Sequence, residues 1–248
     1  MTLEDFSTGF DTLLNSFATV ANFGKTDSPI SIELDEFEKS IFLTEAQEEL
    51  VLSLYSGRNS SGNGFEETEE LRRNLSNLIF DVELSPITNT GKHPIGGDSN
   101  SYYFTLPDGT IATQPSIWFI TYESVTISSD DTCKNGTTME VVPAKQDEYH
   151  RLKKNPFRGA NSRRALRFDL SEDNIEIVCK YTVTKYYVRY LKKLKPIILV
   201  NLADGNTIQG EVTAMNSELD SSLHRAILER AVEKAIQSRG YTKNIENK

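Results

Sequence analysis

Residues 164–191, RALRFDLSEDNIEIVCKYTVTKYYVRYL, decide the fold of this chain. Apolar residues alternate with polar ones over much of this stretch, which is the two-residue period of a β-strand with one buried face. The alternating positions are Ile175, Ile177 and Cys179, followed by Tyr186, Val188 and Tyr190. Polar turn residues at 171–173 separate the first two parts. The stretch therefore predicts three consecutive antiparallel strands, arranged as a meander.

Strand-like composition continues towards the N-terminus. Residues 81–85, 101–106 and 116–127 are rich in aromatic and β-branched side chains, and Pro107-Asp108-Gly109 supplies a turn between the last two. We therefore predict a strand-rich, antiparallel domain over residues 81–210. The pattern leaves open whether its strands form a sandwich or a barrel-like sheet.

The two ends of the chain are predicted to be helical. The N-terminal apolar stripe consists of Phe6, Phe10, Leu13, Phe17 and Val20, at spacings of three and four. A similar stripe predicts a C-terminal helix at 217–239, which we expect to pack on the helical part at 1–80. The predicted class is therefore α+β: an N-terminal helical part, a strand-rich antiparallel middle and a C-terminal helix.

Two capping-box patterns lie nine residues apart in the N-terminal part. Asp35 is followed three residues later by Glu38, and Thr44 is followed three residues later by Gln47. Each pattern is typical of a helix start. The sequence thus predicts a short helix at 36–42 that breaks and restarts at 45–55.

Composition limits the classes of protein that this chain can belong to. Its 248 residues carry 27 Lys and Arg against 36 Asp and Glu, a formal charge of −9, and 38% are hydrophobic. No apolar run approaches the roughly 18 residues of a spanning helix. Glu4 and Asp5 stand where an export signal has basic residues. We expect no membrane partner, and Cys133 and Cys179 alone suggest a reducing compartment without a disulfide framework.

Charge is distributed very unevenly along the chain. Residues 1–83 hold 5 Lys and Arg against 17 Asp and Glu, a balance of −12, whereas residues 145–195 hold 14 against 6, a balance of +8. Such a dipolar chain favours contacts in which the acidic part of one copy meets the basic part of another.

The basic segment supplies the candidate binding residues. They are Arg151, Lys153, Lys154, Phe157, Arg158, Arg163 and Arg164. Lysine and arginine side chains neutralise DNA phosphates regardless of base sequence, but they serve equally well in a protein interface or on a solvated face. Within this segment Asn155-Pro156-Phe157-Arg158-Gly159 suggests a shaped loop, in which Pro fixes one dihedral and Gly permits a positive φ. A purely structural turn is the alternative.

Nothing in the sequence predicts catalysis. The usual hydrolase, metalloprotease and nucleotide-binding patterns are absent from the chain. Asp147, Glu148 and His150 crowd together, but no second cluster is placed by sequence to complete an acid/base or metal site. We expect no enzyme activity, no cofactor and no metal. Residues 86–100, PITNTGKHPIGGDSN, suggest an arm that orders on a partner.

Two stretches of the chain resemble a known family. Residues 34–51, LDEFEKSIFLTEAQEELV, and residues 142–151, VPAKQDEYHR, with 155–159, NPFRG, are similar to structural proteins of crAss-like tailed phages. The resemblance extends from about residue 10 to residue 238. It implies a virion protein of the neck, one of the rings stacked between the portal and the tail barrel.

The resemblance also implies partners and a location. The partners are other copies of the chain in a ring of twelve, the portal, and further neck or tail ring proteins. Non-specific contact with packaged DNA is also expected. The protein would lie in the virion neck or tail region, after assembly in the host cytoplasm. The candidate cations would then face a neighbouring subunit or the DNA channel, with Phe157 as an interface anchor. The competing classes are a non-sequence-specific nucleic-acid-binding protein and an unrecognised phage enzyme.

Overall fold

The computed structural model describes residues 1–21, 34–58, 62, 64, 67–88, 93–97, 99–111, 113–130, 132–171, 173–203 and 205–238. The chain divides into two compact units. We call Met1–Asn77 with Leu194–Lys248 the helical unit, and Leu78–Lys193 the sheet unit. Helices lie at both ends of the chain and a seven-stranded sheet lies between them, which confirms the α+β class.

The helical unit is held together by the packing of its long helices. Its helices are α1 (Leu3–Ala21), α2 (Glu36–Tyr55), α3 (Glu69–Asn74) and α5 (His224–Ser238). Helix α5 packs against both α1 and α2. Among the described side chains of α1, Phe6, Phe10 and Leu14 are fully buried, whereas Phe17 is 43% exposed. Residue 239, at the predicted end of the last helix, lies outside the described residues.

No helix in the described ranges is both long and apolar enough to cross a bilayer.

The predicted break within α2 is wrong. The Asp35 and Glu38 capping box does start the helix, but the helix then runs without interruption from Glu36 to Tyr55. Thr44 lies in the middle of the helix and is buried, as is Gln47. Their polar side chains are used for tertiary hydrogen bonds instead of a cap, because an extended segment of the same unit runs beside them.

Residues 195–199 form that extended segment, and α2 binds its backbone. Leu199 N–H donates to Ser40 Oγ (3.0 Å) and Ile197 N–H donates to Thr44 Oγ1 (3.1 Å), while Gln47 Nε2 donates to the carbonyl of Lys195 (2.9 Å). Buried backbone groups need such partners. The polar side chains at 40, 44 and 47 thus supply hydrogen bonds to this backbone of the kind that a neighbouring strand would supply in a sheet.

The sheet unit contains a single mixed sheet that is curled into a half-barrel. Its strands are β1 (Ile79–Leu84), β2 (Ser101–Thr105), β3 (Ile117–Ser128), β4 (Thr138–Pro143), β5 (Arg164–Asp169), β6 (Asn174–Val178) and β7 (Thr182–Lys192). They lie in the order β1-β7-β3-β4-β5-β6-β2. Every neighbouring pair is antiparallel except β4 and β5, which are parallel.

The predicted meander is wrong in its last step. Strands β5 and β6 do form an antiparallel pair, but β7 pairs with β1 and β3 rather than with β6. The free edge of β6 is occupied by β2, with Ser101 opposite Val178. Alternation of apolar residues fixes which face of a strand is buried, but it carries no information about the neighbouring strand.

The parallel pair explains why a long connection with a helix lies within the basic segment. Parallel strands cannot be joined by a tight turn and need a crossover connection, usually with a helix. Residues 144–163 form this connection, and helix α4 (Tyr149–Lys153) lies within it. The candidate cations up to Arg163 therefore belong to the crossover, and Arg164 is the first residue of β5.

Candidate interaction surface

The crossover helix α4 is fixed to the sheet by Tyr149. This residue is buried in a cluster with Leu166, Phe168 and Val178, and its ring meets that of Phe168 edge to face at 5.6 Å. Burial, together with the charge of Glu176, raises the pKa of Tyr149 above its ordinary value. The chain that leaves α4 therefore starts from a fixed point.

The next ten residues, 154–163, form a loop that we call the Phe157 loop. Asn155 shapes its first half, because its Oδ1 atom accepts hydrogen bonds from the N–H groups of Phe157 (2.9 Å) and Arg158 (3.2 Å). Asn161 shapes its second half in the same way, by accepting from Arg163 (2.8 Å) and Arg164 (3.1 Å). Such Asx turns hold a backbone without help from regular secondary structure.

A cross-link between the two halves closes the loop. Asn161 Nδ2 donates to the carbonyl of Pro156 (3.2 Å), and the N–H of Gly159 donates to the carbonyl of Asn155 (2.8 Å). These bonds define the positions of the side chains that the loop presents. The loop is therefore ordered before any partner arrives.

Gly159 has a different role from the predicted one. Its φ is not positive, so the loop does not use the positive φ that a glycine would permit. Instead the backbone of α4 and of the start of the loop lies very close: a Cβ atom at this position would lie 2.6 Å from the carbonyl oxygen of Leu152 and 2.9 Å from that of Asn155. Glycine is required here because of this close approach.

Phe157 is the most exposed large hydrophobic side chain in the described part of the molecule, at 85%. Its backbone is held by the bonds described above, so the ring projects from a fixed base. Large aromatic side chains gain much free energy when a partner buries them. An ordered loop that holds such a ring in water is typical of a binding surface.

The candidate cations fall into two groups. Arg151 pairs with Glu148 (2.7 Å), Arg164 pairs with Glu140 (3.7 Å), and the Lys153 amine lies 6.0 Å from the centre of the Tyr149 ring. Among the described residues no partner is found for the exposed side chains of Lys154, Arg158 and Arg163. The unpaired cations thus lie in the same loop as Phe157.

Arg167 belongs to the basic segment in sequence but not to this surface. It is nearly buried, and its guanidinium Nη1 lies 2.5 Å from Glu123 Oε1. Tyr186 donates a hydrogen bond to the second oxygen of Glu123 (2.8 Å). Burial and the charge of Glu123 raise the pKa of Tyr186 above its ordinary value, so the phenol remains a donor. Sequence reasoning missed this group, because three residues on separate strands leave no local pattern.

The described part of the predicted arm at 86–100 is attached to the sheet. Glu176 is completely buried, and its Oε1 atom accepts hydrogen bonds from Ile95 N–H (2.8 Å) and from the hydroxyl of Ser101 (2.5 Å). Residues 89–92 and 98 of the predicted arm lie outside the described residues. The expectation that 86–100 orders on a partner stays a prediction.

Asp147, Glu148 and His150 build no metal site with their surroundings. In the described ranges no group of three or more histidine, cysteine or acidic side chains is arranged to hold an ion. Glu148 is engaged by Arg151. The arrangement of charge and exposure instead fits contact with a large partner.

The two units differ strongly in formal charge. From the sequence, the helical unit carries 12 Lys and Arg against 22 Asp and Glu, a balance of −10, and the sheet unit carries 15 against 14, a balance of +1. The excess of acidic residues therefore lies in the helical unit, whereas the sheet unit is close to neutral and its cations are concentrated locally in the basic segment. An ordered cationic loop with an exposed aromatic ring, beside a unit of opposite net charge in the same chain, favours contact with another macromolecule.

Comparison with known proteins identifies the family. The model of the phage tail ring protein 3/4 family matches residues 1–247. Ring protein 3 of Bacteroides phage crAss001 is 46% identical over 241 residues, which cover 96% of each chain. Ring protein 4/5 of the same phage is 31% identical over 244 residues, 95% of this chain and 92% of that protein. The chain therefore belongs to the phage tail ring protein 3/4 family and is a structural ring protein of a crAss-like phage. The resemblance seen at 34–51 and 142–159 is confirmed.

Proposed function

We propose that this protein is a non-enzymatic subunit of the virion neck, one of the rings stacked between the portal and the tail around the DNA exit channel. The observation that carries the proposal is the match to the tail ring family along almost the whole chain. A match that includes both units supports a ring subunit over an unrelated protein that has borrowed one domain.

The separation of charge supports a closed ring of identical copies. A ring needs a heterologous interface, in which two different surfaces of the same chain meet repeatedly until the circle closes. A helical unit at −10 and a cationic loop on the sheet unit offer two such surfaces. We propose twelve copies per ring, with the portal and other neck or tail ring proteins as neighbours, and assembly in the host cytoplasm.

The candidate cations have one of two roles in such a ring. Arg151, Lys153, Lys154, Arg158, Arg163 and Arg164 would line either a subunit interface or the lumen that DNA passes. A lumen needs only phosphate contacts, which carry no sequence information. Phe157 would act as an anchor between subunits.

Imaging tests the proposal. The purified protein, alone and mixed with the matching portal, is examined by negative-stain electron microscopy. We expect rings, or portal particles that gain one additional ring layer. Portal particles that look the same with and without the protein, together with no rings in the protein alone, would contradict the proposal.

The competing nucleic-acid-binding function has its own test, because three cations of the Phe157 loop are unpaired among the described residues. A protein that functions by neutralising DNA phosphates loses affinity with salt, with a logarithmic slope of about −0.9 for each phosphate contacted on duplex DNA. We expect weak duplex binding and a shallow slope. Tight binding with a slope beyond about −5, in a protein that forms no rings, would favour the competing function.

A further inference from the structure

The partner of the Phe157 loop can be inferred from the chemistry of the loop, given the proposed ring. Duplex DNA offers phosphates to the cations, but its bases are stacked on each other. Aromatic side chains recognise bases that are unstacked, as in single strands and loops. Phe157 would therefore remain in water on a duplex, at 85% exposure. The aromatic ring indicates a protein partner.

The surroundings of Phe157 define what that partner must present. Arg158 and Arg163 are exposed and, among the described residues, without an ion-pair partner, and Lys154 precedes them. Aromatic and arginine side chains dominate the energetic centres of protein interfaces. The complementary surface needs an apolar site for the ring and carboxylates around it.

We propose that the Phe157 loop of one copy docks on the helical unit of the adjacent copy in the ring. The proposal rests on the ring function proposed above and names the partner of this loop. The helical unit has the required charge, −10, whereas the sheet unit at +1 does not. The helical unit also has the apolar component, since Phe17, Leu52, Val200 and Val212 are exposed hydrophobic side chains.

The preformed loop makes this docking favourable. Binding costs free energy when flexible segments must be ordered, and a loop that is already ordered avoids part of that cost. Asn155, Asn161 and Gly159 hold the loop through bonds within the sheet unit itself. Docking then requires little more than removal of water from the ring of Phe157 and from its cationic neighbours.

Photo-crosslinking tests the proposal directly. Phe157 is replaced by the photoreactive residue p-benzoylphenylalanine, rings are formed from a mixture of light and heavy isotope-labelled protein, and crosslinked peptides are identified after irradiation. We expect light-to-heavy crosslinks to residues 1–77 or 194–238. Crosslinks to residues 78–193, to the portal or to DNA, or rings with no crosslink at all, would overturn the proposal while leaving the ring function intact. Failure of the wild-type protein to form rings would instead contradict the ring function.

Charge reversal provides a second measurement if the photoreactive variant does not assemble. Arg158→Glu with Arg163→Glu should weaken self-association by at least about tenfold, because two repulsive pairs replace two attractive ones. The matched control is Lys180→Glu with Lys193→Glu, which makes the same change in net charge at exposed sites of the sheet unit outside the loop. Equal effects of the two double variants would overturn the proposal. Urea unfolding of both variants establishes that each is folded.

Discussion

Arg167 and Glu123 form an ion pair between two strands that are not neighbours. Their Nη1 and Oε1 atoms are 2.5 Å apart, although β4 lies between β5 and β3 in the sheet. The pairing of β4 with β3 covers only residues 138–140, opposite 124–126. Where β3 and β4 are no longer paired, the ion pair connects β3 with β5, and the hydroxyl of Tyr186 adds a bond from β7 to the same carboxylate.

Breaking this ion pair should cost much of the stability of the protein. Arg167→Met leaves the Glu123 carboxylate buried without its cation, which typically costs about 3–5 kcal/mol. The control is Arg151→Met, which removes an exposed ion pair with Glu148 and should cost less than about 1 kcal/mol. Urea unfolding followed by circular dichroism measures both. Equal losses in the two variants would show that the buried pair has no special importance.

A double variant separates the desolvation of Glu123 from the packing of its neighbours. Combining Arg167→Met with Glu123→Leu removes the uncompensated buried charge. We expect this variant to be more stable than Arg167→Met alone, because replacing a buried ion pair by apolar side chains is often close to neutral. A double variant that is less stable than the single one would contradict this explanation.

Thr44 should contribute to the stability of the protein although threonine is a polar residue. Thr44→Val preserves the shape of the side chain but leaves the N–H of Ile197 buried without an acceptor, at a cost of about 1–3 kcal/mol. Thr12 of α1 is the control, because among the described residues its exposed hydroxyl donates to the carbonyl of Thr8 in the same helix and to no other group. Thr12→Val should change the free energy of unfolding by less than about 0.5 kcal/mol. Similar values for the two variants would contradict the proposed role of Thr44.

His224 should make the helical unit less stable in mild acid. Burial lowers the pKa of this imidazole below its ordinary value of 6.5, and the ammonium of Met1, 3.0 Å from Nδ1, lowers it further. As the pH falls through 6.5, the unfolded chain takes up a proton that the folded chain resists, so the folded state loses stability. Above this range the contribution of the buried neutral ring is fully present.

The comparison of His224→Gln with wild type isolates this effect. The variant should be the less stable protein at pH 7.5, because it loses the contact with the carbonyl of Leu219. The difference in melting temperature should narrow as the pH is lowered to 5. The control is His150→Gln, at an exposed position, which should change the free energy of unfolding at pH 7.5 by less than about 0.5 kcal/mol. A difference that is constant from pH 7.5 to 5 would contradict the assignment.

Gly159→Ala should disturb the Phe157 loop. The added methyl group would lie 2.6 Å and 2.9 Å from two backbone oxygens, which cannot move aside like a flexible side chain. We expect a loss of about 1–3 kcal/mol in stability and weaker self-association. Gly64→Ala is the control, since its nearest contact would be an ordinary 3.7 Å. Normal ring formation by Gly159→Ala would show that assembly does not depend on the shape of this loop.

The sequence was most informative where side-chain periodicity and composition act locally. It predicted the α+β class, the positions of most strands and the cationic segment with Phe157. It did not predict the pairing of β7 with β1 and β3, because strand order depends on contacts distant in the chain. It misplaced a break at Thr44, since a buried threonine in a helix and a capping threonine share the same local pattern.

At the candidate surface, too, the sequence predicted local features but not contacts between residues distant in the chain. Charge counting located the basic segment, but it included Arg167, whose partner Glu123 is 44 residues away in sequence. It also gave no means of separating Arg151 and Arg164, which are paired, from Arg158 and Arg163, which lack partners among the described residues. These distinctions depend on three-dimensional neighbours.

The mass of the assembled protein tests the central claim most directly. Native mass spectrometry is applied to the purified chain after incubation alone and with the matching portal. A closed ring of twelve chains of 27.9 kDa gives about 335 kDa, alone or as the mass added to the portal. This is the result that we predict. A mass that stays at 27.9 kDa under both conditions, with no mass added to the portal, would contradict the ring.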